Sequence, residues 1–151
     1  MQTPLLTFIL RHGDRSLVLA QRLLEYITRS PEIEEDMALS NIALDLIGQS
    51  RILYTYAGEF EGLGHDEDHF AFQRDPGQFL SPILVERPNT DFAHVIVRQF
   101  LHDAYAVPLW TRLAVSSDTT LAGLGAKASK EAAYHLRHSS AWVIRLGDGT
   151  E

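Results

Sequence analysis

Apolar residues recur at spacings of three and four positions in four segments of the chain, which is the pattern of amphipathic α-helices. The predicted helices span about residues 4–29, 34–62, 91–115 and 119–146. Asp91 precedes the third segment as a plausible N-cap, and Pro108 inside it predicts a kink because proline removes a helical hydrogen bond. No segment alternates apolar and polar residues over a useful strand length, so the sequence predicts an all-α fold.

A connection of nearly 30 residues, 63–90, separates the second and third predicted helices. Such a length is unusual in a compact domain, but ferritin-like bundles use a long crossover at this point. We therefore predict a single ferritin-like domain over residues 1–151, an antiparallel four-helix bundle with a long connection between helices 2 and 3.

The predicted buried stripe of each helix includes an acidic residue. In the second helix the stripe comprises Met37, Asn41, Leu44, Asp45, Gly48 and Ile52, and in the third it comprises Val95, Gln99, Asp103, Ala106, Trp110 and Leu113. The first stripe runs through Leu10, Asp14, Leu17, Gln21 and Leu24, and the fourth includes Leu124, Lys127, Glu131, Tyr134, His135, His138 and Trp142. Acids placed in this way are typical of carboxylate-bridged di-iron and di-manganese bundles.

The histidines that such a metal site needs are absent at the expected spacing. Di-metal bundles carry a Glu-x-x-His motif on two of their helices. Three positions after Asp45 the sequence has Gly48, and three positions after Glu131 it has Tyr134. We therefore interpret Asp14, Asp45, Gly48, Asp103, Glu131 and Tyr134 as the positions of a degenerate metal site, and expect neither a metal nor a catalytic residue in this chain.

Acids gathered in a bundle core need a proton, water or a cation, because their charges repel one another. Lys127 lies one turn before Glu131, and Arg51 lies one turn after Gly48, so each is a candidate cation in the place of the metal. His135 and His138 are interpreted as partly buried, hydrogen-bonded histidines, with replacement metal ligands as the alternative.

The remaining histidines receive a structural interpretation. His12 and His94 are interpreted as ordinary surface or interface groups. His65 and His69 frame the acidic run GHDEDH, which is typical of a solvated loop, with a metal site as the alternative.

Three further arginines and six aromatic residues each have a structural interpretation and a binding interpretation. Arg74, Arg87 and Arg98 are interpreted as surface residues, with an acidic patch of a partner or the phosphates of coenzyme A as the alternative. Six aromatic residues are candidate interface anchors: Tyr54, Tyr56, Phe60, Phe70, Phe72 and Phe79. We expect about half of them to lie in the core instead.

Composition narrows the function classes. The chain has 151 residues, 45% of them apolar, a net charge of −7 and no cysteine. Thiolate catalysis, disulfides, iron–sulfur clusters and Cys-ligated zinc are excluded, and non-specific nucleic-acid binding is disfavoured. With neither a signal-peptide pattern nor an apolar run of membrane-spanning length, we expect a cytoplasmic protein with no membrane or nucleic-acid partner.

Several stretches of the sequence carry a specific resemblance. The segments NIALDLIGQSR, LVERPNTDFA and KEAAYHLRHS, together with LRHGDRSLVLAQRLLEY, resemble the PaaC-type subunits of bacterial ring-1,2-phenylacetyl-CoA epoxidases, and similar stretches cover nearly the whole chain. Family members usually continue through further helices, so we expect that this chain corresponds to the N-terminal portion of a longer one.

The resemblance implies a ferritin-like scaffold that has lost its metal and pairs with a related di-iron catalytic subunit. It also implies a separate reductase that carries FAD and an iron–sulfur cluster and takes electrons from NADPH. We thus expect a non-catalytic structural subunit of a phenylacetyl-CoA monooxygenase in phenylacetate catabolism, with homo-oligomerisation through uncovered apolar surface. The alternatives are an independent di-iron oxygenase and a ferritin-like metal-binding protein.

Overall fold

The computed structural model describes residues 3–149, and within that range the chain is helical with no strand. The α-helices are α1 (Pro4–Tyr26), α2 (Ile33–Glu61), α3 (Glu67–Phe72), α4 (Ile83–Glu86), α5 (Phe92–Leu113) and α6 (Thr119–Gly147), and a 3₁₀ turn spans Pro76–Gln78. The predicted all-α fold is confirmed.

The four long predicted helices correspond to α1, α2, α5 and α6, with small changes at their ends. The first helix ends at Tyr26 because Thr28 adopts the left-handed conformation, with φ 74°. Asp91 is the N-cap of α5, since its side chain accepts a hydrogen bond from the backbone N–H of His94. Helix α5 continues through Pro108, and the kink predicted there stays a prediction.

The long connection between α2 and α5 has its own local structure. Gly62 and Gly64, with φ of 69° and 79°, turn the chain out of α2. Asp66 then caps α3 by accepting a hydrogen bond from the His69 backbone N–H at 2.9 Å. The connection is therefore an ordered segment that presents its side chains at defined positions.

The chain divides into two compact units. One comprises Met1–Glu25 and Ala38–Arg87, and the other comprises Tyr26–Met37 and Pro88–Glu151. In the first unit α1 approaches α2 closely, since a Cβ on Gly13 would lie 2.6 Å from the Tyr54 ring. In the second unit α5 packs against α6. The single domain and the antiparallel four-helix arrangement stay predictions.

The buried faces agree with the sequence pattern for α5 but not for α2. Five of the six residues of the predicted α5 stripe are buried, from Val95 to Trp110. In α2, Met37 and Leu44 are 62% exposed, and the buried residues are instead Leu39, Ile42, Ala43, Leu46, Gln49, Ser50, Leu53, Tyr54, Ala57 and Gly58. The predicted α2 stripe is wrong because apolar residues lie all around this helix, so their spacing does not define one face.

The stripes of α1 and α6 are correct only in part. Gln21 and Leu24 of α1 are exposed, as are Lys127 and Tyr134 of α6. None of the described helices combines the length and apolar character that crossing a membrane requires.

Candidate functional site

A fully buried carboxylate, that of Asp14 of α1, belongs to the first compact unit. Its Oδ1 atom accepts hydrogen bonds from the Tyr54 hydroxyl at 2.5 Å and from Nη2 of Arg74. Its Oδ2 atom accepts from Nη1 of Arg74 at 3.2 Å and from the backbone N–H of Leu80 at 2.7 Å. Both oxygens of Asp14 are thus engaged by donors of the protein itself.

Arg74, from the connection after α3, is the cation that neutralises Asp14. Its side chain is 8% exposed, and its Nε donates to the Phe70 carbonyl at 2.6 Å. The guanidinium carbon lies 4.2 Å from the centre of the Phe79 ring and 5.4 Å from that of Tyr54, within the range of cation–π attraction. The interpretation of Arg74 as a surface residue is therefore wrong.

Tyr54 completes this buried network from α2. Burial raises the pKa of its hydroxyl well above the ordinary value, and the neighbouring negative charge of Asp14 adds to that effect. Tyr54 therefore stays protonated and donates to the carboxylate. We refer to Asp14, Tyr54 and Arg74 as the arginine clamp.

The other predicted positions in this unit are more exposed than Asp14. Asp45 and Gly48 are half-buried on α2. Arg51, one of the two predicted compensating cations, pairs with Glu67 at 3.1 Å, and its side chain is 73% exposed. In this unit the cation beside a fully buried acid is Arg74, a role that no sequence pattern indicated.

The second compact unit holds another fully buried carboxylate, Asp103 of α5. Gln99 Nε2 donates to its Oδ1 at 2.6 Å, and the Ser139 hydroxyl of α6 donates to its Oδ2 at 2.8 Å. His102 Nδ1 lies 3.2 Å from Oδ1. Burial raises the pKa of Asp103 to about 6, against the opposing effects of the Ser139 hydrogen bond and the nearby His135.

The predicted residues of α6 have separate environments. Lys127 lies 3.4 Å from Glu131 in an ion pair between successive turns. His135 is buried, and His138 bonds to the Glu35 carboxylate at 2.8 Å. Tyr134 is half exposed. The role of Lys127 as a compensating cation stays a prediction, as does that of His135 and His138 as replacement metal ligands.

Two further interpretations of polar residues are wrong. His12 is buried, with its ring centre 4.3 Å from that of Phe8, and Arg98 is buried on α5. The sequence predicts His12 at the surface or at an interface and Arg98 at the surface, and their burial contradicts both expectations. His94 is exposed as expected and pairs with Asp91.

The aromatic candidates divide between core and surface. Tyr54 and Phe70 are buried, whereas Phe60 and Phe72 are exposed. Tyr56 and Phe79 are intermediate, so two of the six are buried, fewer than the expected half.

The donors around the two buried acids do not fit a di-iron centre. Di-iron centres of ferritin-like bundles use free carboxylate oxygens together with the histidines of two Glu-x-x-His motifs. Asp14 accepts from an arginine, a phenol and a backbone amide, and Asp103 accepts from an amide and a hydroxyl. Within residues 3–149 no group of three or more histidines, cysteines or acids is arranged to hold a metal ion.

Some of these partners were visible in the sequence and others were not. Gln99 precedes Asp103 by one helical turn, so the i, i+4 rule could have found this pair. Arg74 is 60 positions from Asp14 and lies in a connection without helical periodicity. No spacing rule links such residues, and only the folded chain brings them together.

Comparison with known proteins adds a family and a relative. The family described as "Phenylacetic acid catabolic protein" matches residues 1–151. A 1,2-phenylacetyl-CoA epoxidase subunit of Escherichia coli (strain K12) is 53% identical over 147 residues. The aligned region covers 97% of this chain and 59% of the relative, so the chain spans less than two thirds of the relative's length.

Proposed function

The chain belongs to the phenylacetic acid catabolic protein family, and we propose that it is a non-catalytic structural subunit of a multicomponent phenylacetyl-CoA epoxidase. In this role it supports the di-iron subunit that activates oxygen, and it contributes no redox centre of its own. The relative that is 53% identical carries the name of an epoxidase subunit, which supports the assignment to such an assembly.

The arginine clamp is the main observation that supports the proposed non-catalytic role. An arginine that pairs with both oxygens of a buried aspartate is a strong, directional contact. Iron could reach Asp14 only if Arg74 moved away, which would leave a buried guanidinium without its counter-ion. The clamp therefore favours a rigid helical unit over an oxygen-activating site.

The outer face of α5 supports a docking role. From Val97 to Pro108 every exposed residue of this helix is apolar or aromatic, namely Val97, Leu101, Ala104, Tyr105 and Pro108. Val97, Leu101 and Tyr105 are 43%, 48% and 49% exposed and recur every four positions, so they share one side of the helix. A continuous apolar side without a charge is typical of a buried helical interface, and we assign it to the di-iron subunit.

Co-purification tests this function. The chain is co-expressed with an affinity-tagged di-iron subunit of a phenylacetyl-CoA epoxidase, and the complex is analysed by size-exclusion chromatography. We expect co-elution in a constant ratio, and we expect Leu101→Glu to reduce the retained chain by about tenfold or more, as for a central interface residue.

Leu63→Glu is the matched control, because Leu63 is another exposed leucine, located in the connection after α2. It should leave co-elution unchanged. Elution of the unaltered chain by itself would overturn the structural-subunit function. Equal retention of both variants would instead show that docking uses a surface other than α5.

A further inference from the structure

We propose that the outer side of α2 binds a second copy of this chain, in an antiparallel dimer whose two-fold axis passes Gly48. In a two-fold dimer the same surface of both copies forms the contact, so that surface must be complementary to itself. The positions concerned belong to the first compact unit and lie on a different helix from the α5 side assigned to the di-iron subunit.

The outer side of α2 is uncovered in the single chain. Asn41, Leu44, Arg51 and Thr55 are exposed, and Gly48 in the middle of the row is partly exposed. These positions recur at intervals of three and four residues, so they share one side of the helix. Leu44 is 62% exposed and the side chain of Arg51 is 73% exposed, which leaves room for another helix on this side.

The charges on this side are placed symmetrically about Gly48. Asp45 lies three positions before it, and Arg51 lies three positions after it. In an antiparallel pair with the two-fold axis at Gly48, every residue lies level with the residue of the other copy that is equally far beyond Gly48. The aspartate of each copy therefore lies level with the arginine of the other, and this contact forms twice.

The uncharged positions follow the same symmetry. Leu44 and Ile52 lie four positions before and after Gly48, so an apolar residue lies level with an apolar one. Asn41 and Thr55 lie seven positions before and after it, so two side chains that can hydrogen-bond lie level with each other. Each class of side chain thus lies level with a suitable class in the second copy.

Charge complementarity selects the antiparallel arrangement over the parallel one. In a parallel pair in register, Arg51 would lie beside Arg51 of the second copy and Asp45 beside Asp45. Like charges placed together in an interface are strongly unfavourable, whereas opposite charges fix the register. The order of charges along α2 therefore favours a second copy that runs in the opposite direction.

Gly48 suits the centre of such a contact. Helix α2 has 29 residues, from Ile33 to Glu61, and Gly48 lies near its middle. The distance between two packed helices depends on the side chains at the contact, so a glycine at the crossing allows a close approach. The row from Asn41 to Thr55 extends about 21 Å along the helix, at 1.5 Å per residue.

Arg51 can form this contact and keep its own partner. Its Nε donates to the Glu67 carboxylate at 3.1 Å, and a guanidinium has four further N–H donors. The pair with Glu67 is exposed, so it restrains the arginine only weakly. The guanidinium can therefore donate to Asp45 of the second copy across the space that Gly48 leaves open.

Sedimentation equilibrium of the full chain, between about 5 and 500 μM, tests the dimer. One helix from each copy makes a small interface, so we expect a dissociation constant of roughly 10–100 μM. Arg51→Asp and Asp45→Arg should each weaken the dimer at least about tenfold, because each places like charges level with one another. An equimolar mixture of the two variants should dimerise again, since every altered charge then lies level with an opposite one.

Arg11→Asp is the matched control, because Arg11 is an exposed arginine of α1 and undergoes the same change of charge. It should dimerise as the unaltered chain does. Circular dichroism verifies that each variant is folded, and if Asp45→Arg unfolds, Leu44→Glu, which sets a charge level with Ile52, takes its place as a disruptive variant beside Arg51→Asp.

A monomer at every concentration would overturn the dimer and leave this side of α2 to a different polypeptide. A dimer that Arg51→Asp and its companion variant leave unchanged would overturn the contact through α2, as would a mixture of the two folded charge variants that stays monomeric. The measurement uses this chain alone, so its failure is distinguishable from failure to co-elute with the di-iron subunit.

Discussion

At the scale of single residues, the ion pair between Arg74 and Asp14 is the most important contact. The carboxylate of Asp14 is fully buried, and the arginine replaces the water that would otherwise solvate its charge. When one member of a buried ion pair is removed, the other keeps its desolvation cost without compensation. Asp14 would still accept from Tyr54 and the Leu80 backbone, but it would lose its cation. The clamp should therefore contribute to stability far more than a surface ion pair.

The first prediction compares two arginines. Arg74→Gln should lower the free energy of unfolding by roughly 3–5 kcal/mol, the usual effect of breaking a buried pair, as measured by urea denaturation. Arg51→Gln removes the exposed Arg51–Glu67 pair and should change stability by about 0.5 kcal/mol or less. Similar losses in both variants would contradict the clamp.

The second prediction concerns the pH dependence that Asp103 produces. Its pKa is about 6 in the folded chain against an ordinary value of 3.8, so the folded state binds the proton more tightly than the unfolded state. The stabilisation from protonated Asp103 is present at low pH and is lost as the pH rises through about 6.

Denaturation of the unaltered chain and of Asp103→Asn between pH 4.5 and 7.5 measures this effect. The stability of the unaltered chain relative to the variant should fall by roughly 2 kcal/mol across that range, because the asparagine cannot titrate. A difference that stays constant, or that grows with pH, would show that Asp103 keeps an ordinary or lowered pKa.

At the scale of elements, close packing at Gly58 fixes where the connection begins. The left-handed turn at Gly62 and Gly64 returns the chain so that the His65 backbone lies against α2. This return places α3 and then Arg74 beside Asp14. The connection therefore begins with a contact on α2 that leaves no room for a side chain.

The third prediction exchanges glycines in two helices. Gly58→Ala should destabilise the chain, because its Cβ would lie 2.0 Å from the His65 carbonyl oxygen. In Gly123→Ala of α6 the added Cβ meets no atom within 4 Å, so helix propensity should raise stability by about 0.5–1 kcal/mol. Thermal unfolding of both variants measures their stabilities. A stabilising effect of Gly58→Ala would contradict the prediction.

Element-level features show what the sequence alone can predict. The extents of the long helices and the Asp91 cap follow from periodicity and capping chemistry, which are local. The buried face of α2 does not, because Leu44 and Leu46 are equally apolar and only packing decides that Leu46 is the buried one. The choice of Arg74 as the partner of Asp14 is likewise non-local, since it depends on the path of the connection.

At the scale of the whole molecule, the proposed function draws on the family match and on the buried contacts of the two compact units. The chain matches a family of phenylacetic acid catabolism along its full length. Each unit contains a fully buried acid that is satisfied by protein donors, Asp14 in one and Asp103 in the other. An acid whose charge is met by protein donors in this way can contribute to structural specificity.

The iron content of the purified chain after anaerobic reconstitution with Fe²⁺ and desalting tests the non-catalytic role most directly. We predict substoichiometric iron, and no change in iron content when Asp14→Asn or Asp103→Asn is added. Two tightly bound iron ions per chain, lost in these aspartate variants, would contradict that role.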